Sequence, residues 1–351
     1  MHMNKVLNAI KRKWQDFSFF PKLTIRKISF IGILIAISVV IFVVFASFVP
    51  LISIPTYKIS FIGLPIKISG LIFGPLVGGI VGLISDIISF SLFPTFYNFY
   101  YTIAAIVDGV VAGLVGIIFL RVLNYAFGGQ FRDASLDNAI FKQKEKLYRL
   151  VLFDPQSPKI AKVKTKIIAL GEQRKSANVI NQEKKLLNIN LFVASLLIVL
   201  VMLFIFFVVF YVINETTIQQ FSIIPNKIGL YALMTSGYVA MFIFLIVARF
   251  KMHPKRFLVI IPIVIFSAII ELINVPLLSL ADYSTTGASS ESGSIITYMF
   301  QHIVFSPIKI WFNMFVIFFA YNVINPLVNK NRLYYVWITG CFLLLFYSKF
   351  E

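Results

Sequence analysis

The chain alternates long apolar runs with short polar or basic breaks. Residues 28–49 are almost wholly apolar and predict a first membrane span, since a helix crossing a hydrocarbon core of about 30 Å needs about 20 such residues. Residues 59–73 and 76–93 predict two shorter spans joined at Phe73-Gly74-Pro75, with Pro65 placed to kink the first of them. Residues 101–123 predict a fourth span. After a polar stretch over 124–190, five more apolar runs follow at 191–213, 229–250, 257–280, 298–324 and 334–347. The last is short, so the pattern predicts nine spans, or eight with a re-entrant or interfacial end. Gly74, Gly78, Gly79 and Gly82 recur at close spacing, as do Ala105, Gly109, Ala112, Gly113 and Gly116 on the fourth span. Small residues at such steps let helix backbones approach closely in lipid.

Composition agrees with this pattern. Of 351 residues, 59% are hydrophobic, and the mean hydropathy is +0.89. An ordinary soluble domain has roughly 45–50% apolar residues, so an all-α, polytopic transmembrane bundle is the expected fold class. The only cysteine, Cys341, lies in an apolar run, which excludes an intrachain disulfide. The basic start leads into a run too long for a signal h-region, with no small-residue cleavage site, so no removable signal peptide is expected. Richness in Phe, Ile, Lys and Asn suggests an AT-rich bacterial genome, as a compositional hint only.

The net charge of +18 gives the orientation. The N-terminus, 124–190, 249–256 and 330–332 are basic, whereas 50–56 and 94–100 carry no charge and 281–297 only Asp282 and Glu291. Lys and Arg mark cytoplasmic loops, and an even number of crossings separates each basic segment from the next, so the N-terminus is read as cytoplasmic. Within residues 1–25, Met3, Val6, Leu7, Ile10, Trp14 and Phe17 fall near helical spacing beside Lys5, Lys11, Arg12 and Lys13. That predicts an interfacial amphipathic helix on anionic membrane lipids; a solvated tail is the alternative. Residues 124–190 carry twelve basic side chains among Lys142 to Lys185, divided by Pro155 and Pro158, with Ile160, Val163, Ile167 and Leu170 at helical spacing. A cytoplasmic insertion of two helices near the membrane surface fits best. Without basic residues interleaved with aromatics, no nucleic-acid partner is expected.

Charges inside the spans carry the candidate chemistry. Counted from the outer ends of their spans, Lys67, Asp86, Asp108, Glu271 and Lys309 lie about 7 to 11 residues in, or roughly 10–17 Å at 1.5 Å per residue. Asn274, Gln301 and His302 sit at or above that depth. Intramembrane charges are costly and face a bundle interior or a cavity. Their common depth predicts a polar cavity open to the outside. The alternative is that they only pair with one another, Lys67 with Asp86 for instance, to hold the bundle. Phe93, Phe96, Tyr97, Phe99, Tyr100 and Tyr101 gather at the mouth, as ligand-stacking rings or as an interfacial aromatic belt. A planar, polar ligand suits both features.

Several chemistries are missing from the pattern. There is no GxxxxGK[ST] to cradle ATP phosphates, no HExxH and no GxSxG. With three histidines and one cysteine, no metal site or cofactor is expected. An enzyme is therefore disfavoured.

Several motifs resemble one family. RKISFIGILIAIS opens the first span; KISFIGLPIKISGLIFGP, GGIVGLISDIIS, Phe93-Pro94 and YTIAAIVDGVVAGLVG follow. Together they resemble the substrate-binding S components of energy-coupling factor (ECF) vitamin transporters, in particular the folate type. The family's final span opens with Pro-x-Arg-x-x-Lys-Asn, and Pro307, Lys309, Phe312 and Asn313 have that spacing with two replacements. Asn274 and Leu277 to Ser279 match its Asn-x-x-Trp-Leu-Ser with leucine for tryptophan. Phe96-Tyr97-Asn98-Phe99 replaces the Pro-Gly of the loop after the third span. Arg to Lys forfeits bidentate recognition, which bears on the identity of the vitamin more than on the transport role.

The resemblance implies a six-helix core made of 26–123 and 251–326. Residues 124–190 would be a basic cytoplasmic insertion, 191–250 an inserted transmembrane hairpin, and 327–351 a C-terminal extension. It implies capture of a vitamin, folate or a related pterin, at the outer face. Delivery inward would use ATP hydrolysis by partners, a transmembrane scaffold (T component) and two cytosolic ATPases. Lys309 would meet an anionic part of the ligand, and Asn313 and Asp86 would orient it, with Asp108, Glu271, Lys67, Asn274 and Tyr97 as further candidates. Gly32 and Ala36 match the Ala-x-x-x-Ala step with which the family's first span faces the scaffold. A riboflavin-type S component and a stand-alone ion-coupled transporter remain the alternatives.

Overall fold

The computed structural model describes residues 23–48, 55–92, 98–175, 179–221, 224, 226–286 and 295–347. The candidate amphipathic helix within residues 1–22 and Tyr97 lie outside them. The described elements are helices. Helix α1 covers Ile25–Phe48, α2 Pro55–Phe73, α3 Pro75–Leu92 and α4 Phe99–Ile117. A π-helical turn, Ile118–Leu123, leads to a short α5, Asn124–Phe127. Then come α6 Gln130–Phe153, α7 Lys159–Lys175, α8 Val179–Phe207 with a second π turn at Val208–Val212, and α9 Glu215–Phe221. The chain closes with α10 Lys227–Lys251, α11 Pro254–Thr286 and α12 Ile295–Tyr347. Among the described residues, seven helices are long and apolar enough to cross a membrane, with Gly63–Phe73 of α2 as a shorter apolar segment. The protein is thus an all-α, multi-pass membrane protein. The backbone of 334–347, read above as a separate run, instead continues α12 without a break.

Local chemistry sets the joints. Gly74 has φ of 105°, the left-handed region that a side chain disfavours, and its N–H donates to the Gly70 carbonyl at 2.8 Å. That is a left-handed C-cap of α2, and Pro75 follows as the first residue of α3, where its missing N–H costs nothing. Gly129, with φ of 91°, separates α5 from α6 in the same way. Asn98 and Asn226 cap α4 and α10, each accepting from the N–H two residues on at 3.0 Å.

Helix α4 packs on α11 and α2 on α12, α3 packs on α4 and α2, α1 packs on α2 and α3, and α8 and α10 pack against α11 and α12. In α11, 72% of the apolar window is buried, against 11% in α1, so α11 is central and α1 peripheral. Phe257, Ile261, Val264 and Phe266 supply much of that burial. The glycine steps join α3 to α4 backbone on backbone: a Cβ on Gly109 would overlap the backbone of Gly78, and one on Gly78 would meet the Cα of Gly70 at 2.6 Å. The close-packing face expected on the fourth span is therefore met by α2 and α3. Helices α6 and α7 form an antiparallel pair about Pro155.

Candidate functional site

Five polar groups meet inside the bundle. Lys67 of α2 places its Nζ 3.2 Å from Asp108 Oδ2 of α4. The other oxygen of Asp108 accepts from Asn274 Nδ2 of α11 at 2.8 Å. Glu271 stands three residues before Asn274, one turn away on the same side of α11. Its Oε1 lies 3.0 Å from Lys309 Nζ of α12. That oxygen nonetheless receives no well-directed hydrogen bond, so this pair is in charge contact without alignment. All five side chains are buried. The series Lys67, Asp108, Asn274, Glu271, Lys309 thus crosses four helices. Asn313, also buried, follows one turn beyond Lys309.

Packing makes room for the layer. Gly63 precedes Lys67 by one turn, and a Cβ there would come to 2.6 Å from Asp108 Oδ2. The absent side chain lets the carboxylate and the ammonium meet between α2 and α4. Two cations and two carboxylates balance, so the closed layer holds no net charge. That matters because an uncompensated buried charge costs several kcal/mol, about 3–5 when one partner of a pair is removed.

A second tier lies about 10 Å nearer the end of the bundle read as outer, by the rise of 1.5 Å per residue. Tyr101 stands seven residues before Asp108, and His302 seven before Lys309. Tyr101 donates its hydroxyl proton to Asp282 Oδ1, and His302 Nε2 lies 2.8 Å from Asp282 Oδ2. With Asp282 ionised the carboxylate can only accept, so Nε2 carries the proton and the buried Nδ1 is left without a partner. Asn98 ties the same end together, donating to the Ala281 carbonyl at 3.1 Å and to Ser284 Oγ. Asp282 was expected in a loop; it is buried instead, because α11 runs on to Thr286.

The remaining candidates separate. Asp86 is half-buried and accepts from Thr102 Oγ1 at 2.6 Å. Thr102 lies six residues before Asp108, so Asp86 belongs near the second tier, about 9 Å from the first. The partner suggested for Lys67, Asp86, is replaced by Asp108, because Asp86 lies nearer the second tier than the layer in which Lys67 sits. Phe99 and Tyr100 are exposed, whereas Tyr101 joins the second tier. Gly32 and Ala36 both lie on the exposed face of α1, and a Cβ at Gly32 would meet nothing within 4 Å.

Comparison with a family model falls on the first of these helices. A family model described as ECF-type riboflavin transporter, S component, matches residues 22–132. The chain is also 36% identical over 83 residues to the folate transporter FolT of Clostridium novyi (strain NT). That match covers 23% of this chain and 48% of the relative, so the chain spans about half the length of the curated protein it resembles. No solved structure matches the chain. The matched block supplies α1 to α4 with Lys67, Asp86 and Asp108, so this part of the chain is similar to the ECF-type S components.

Proposed function

We propose that the chain is the substrate-binding subunit of an ECF-type transporter in a bacterial plasma membrane, with its N-terminus in the cytoplasm. In this reading it captures a vitamin, folate or a related pterin, from the outer side. The observation that carries the reading is the buried layer of Lys67, Asp108, Asn274, Glu271 and Lys309, anchored in the block that matches the family. Asp108 and Glu271 accept hydrogen bonds from an amino-pyrimidine edge, and Asn274 supplies both a donor and an acceptor. The Asn274 Oδ1 atom is buried without a partner, which suits a ligand N–H. Lys309, in contact with Glu271 but not aligned on it, engages an anionic part of the ligand. Lys67, Asn313 and Asp86 orient it, and Tyr97 remains a candidate for ring stacking. Ligand contacts at Asp108, Glu271 and Lys309 replace ones made within the layer, so binding and release exchange partners rather than strand charges.

Transport then depends on partners. A transmembrane scaffold and two cytosolic ATPases would supply the driving force, in keeping with the lack of a phosphate-binding loop here. The exposed Gly32 and Ala36 give α1 a flat strip on which a scaffold helix can pack closely. Riboflavin is the second reading, favoured by the description of the matching family. Proteoliposomes with this chain, scaffold and ATPases, given labelled folate or riboflavin, test the reading. Uptake that requires ATP and all subunits is expected. Uptake by the chain alone, driven by an ion gradient, would replace it with a secondary transporter.

A further inference from the structure

A cavity of about 260 Å³ opens between α8 and α10 on one side and the seam of α11 and α12 on the other. The Lys67–Asp108 pair, by contrast, joins α2 to α4. Its walls are apolar: Phe204, Met234, Val275, Met299 and Ile303. Methionines on both walls give it an adaptable lining. Phe204, at 54% exposure, stands on its lipid side. An apolar cavity of about 150 Å³ already holds a benzene ring, so this one accommodates a bicyclic ring system or a medium-length chain.

Three polar side chains reach the cavity: Glu271, Tyr238 and Ser306. The Tyr238 hydroxyl is turned to the Ala268 carbonyl at 3.4 Å. Glu271 is different. Its contact with Lys309 lacks hydrogen-bond alignment, and a carboxylate has about four acceptor positions. An acyl chain would set hydrocarbon against this carboxylate, which favours neither. A cationic head would upset a layer in which Lys67 and Lys309 already balance Asp108 and Glu271, and an anionic head would be repelled. What fits is a neutral donor.

We infer that this cavity is a second binding site, for an uncharged amphipathic molecule whose apolar ring or chain lies against α8, α10 and α12 and whose hydroxyl or amide N–H donates to Glu271. The hairpin of α8 and α10, outside the matched block, supplies its outer wall. The site shares Glu271 with the layer, so the inference rests on the layer's charge balance and not on which vitamin it takes.

The test uses the full chain in lipid nanodiscs, with 1-decanol carrying a mid-chain diazirine as probe. Photolabelled peptides are mapped by mass. Labelling is expected at 204–208, 234–238, 272–276 and 299–306. Excess 1-decanol should suppress it about fivefold, and decane and decylamine should not. Ile303→Trp fills the cavity and should lower labelling by a similar factor; Met234→Phe narrows it from the opposite wall if the first variant does not fold. Label spread evenly over the lipid-facing helices, or unchanged in both variants, would overturn the site. Decane competing as well as decanol would make it an acyl-chain groove, and decylamine competing as well would remove the neutral head; either overturns the inference.

Discussion

Replacing Asp108 is the most informative single perturbation of the bundle. Its carboxylate faces Lys67 at 3.2 Å and Asn274 at 2.8 Å, all buried. At 3.2 Å the attraction is about 5 kcal/mol for an effective dielectric of about 20, before the cost of desolvating both charges. Desolvation cancels much of that gain, so the pair as a whole is worth little against a well-packed apolar pair. Asp108→Leu alone leaves the Lys67 ammonium buried without a counter-charge and should cost about 3–5 kcal/mol. Lys67→Met alone should cost a similar amount. The double variant should lose no more than about 1–2 kcal/mol, a coupling of several kcal/mol where independent sites add to within about 0.5. Denaturant unfolding of the purified protein in mixed micelles, followed by helicity, gives all four corners of the cycle. Additive single losses would refute the argument that the two groups are paired in the membrane. The double variant also separates two roles: it should fold yet bind no vitamin, whereas a pair that only holds the bundle would leave binding intact.

Three further outcomes follow from other parts of the chain. Gly109→Val should destabilise by about 1–3 kcal/mol or more, because its Cβ overlaps the Gly78 backbone; an unchanged unfolding midpoint would contradict the contact between α3 and α4. Gly32→Trp should leave unfolding unchanged but abolish co-purification with scaffold and ATPases, and assembly with that variant would remove α1 as the docking helix. His302→Phe should cost about 1–3 kcal/mol, read by the same unfolding assay, since Asp282 loses a buried partner; an unchanged midpoint would contradict that.

Depth was legible in the sequence for four of the five charges, and direction was not. Residues on a membrane helix advance 1.5 Å each, so counting inward placed Lys67, Asp108, Glu271 and Lys309 together before any packing was known. Asp86 has a similar count, but its bond to Thr102, six residues before Asp108, sets it about 9 Å from that layer, so for this residue the count misjudged depth. The hinge at Gly74 was legible because Gly followed by Pro carries the chemistry of a helix end and a helix start. The tier of Tyr101, Asp282 and His302 was missed because Asp282 was assigned to a loop. A signal existed: Asp282 follows Glu271 by eleven residues, about three turns, and so shares its face; the seven-residue steps from Tyr101 to Asp108 and from His302 to Lys309 repeat the relation. Gly63 had no such signal, since its role is only the space that the Asp108 carboxylate needs.

The most direct measurement is calorimetric titration of the purified full chain with folate, riboflavin and thiamine, alongside the Lys67→Met/Asp108→Leu double variant. The S-component assignment predicts one site per chain for folate or, failing that, riboflavin, with binding lost in the folded double variant. No binding of any of the three by a chain with intact helicity would contradict it.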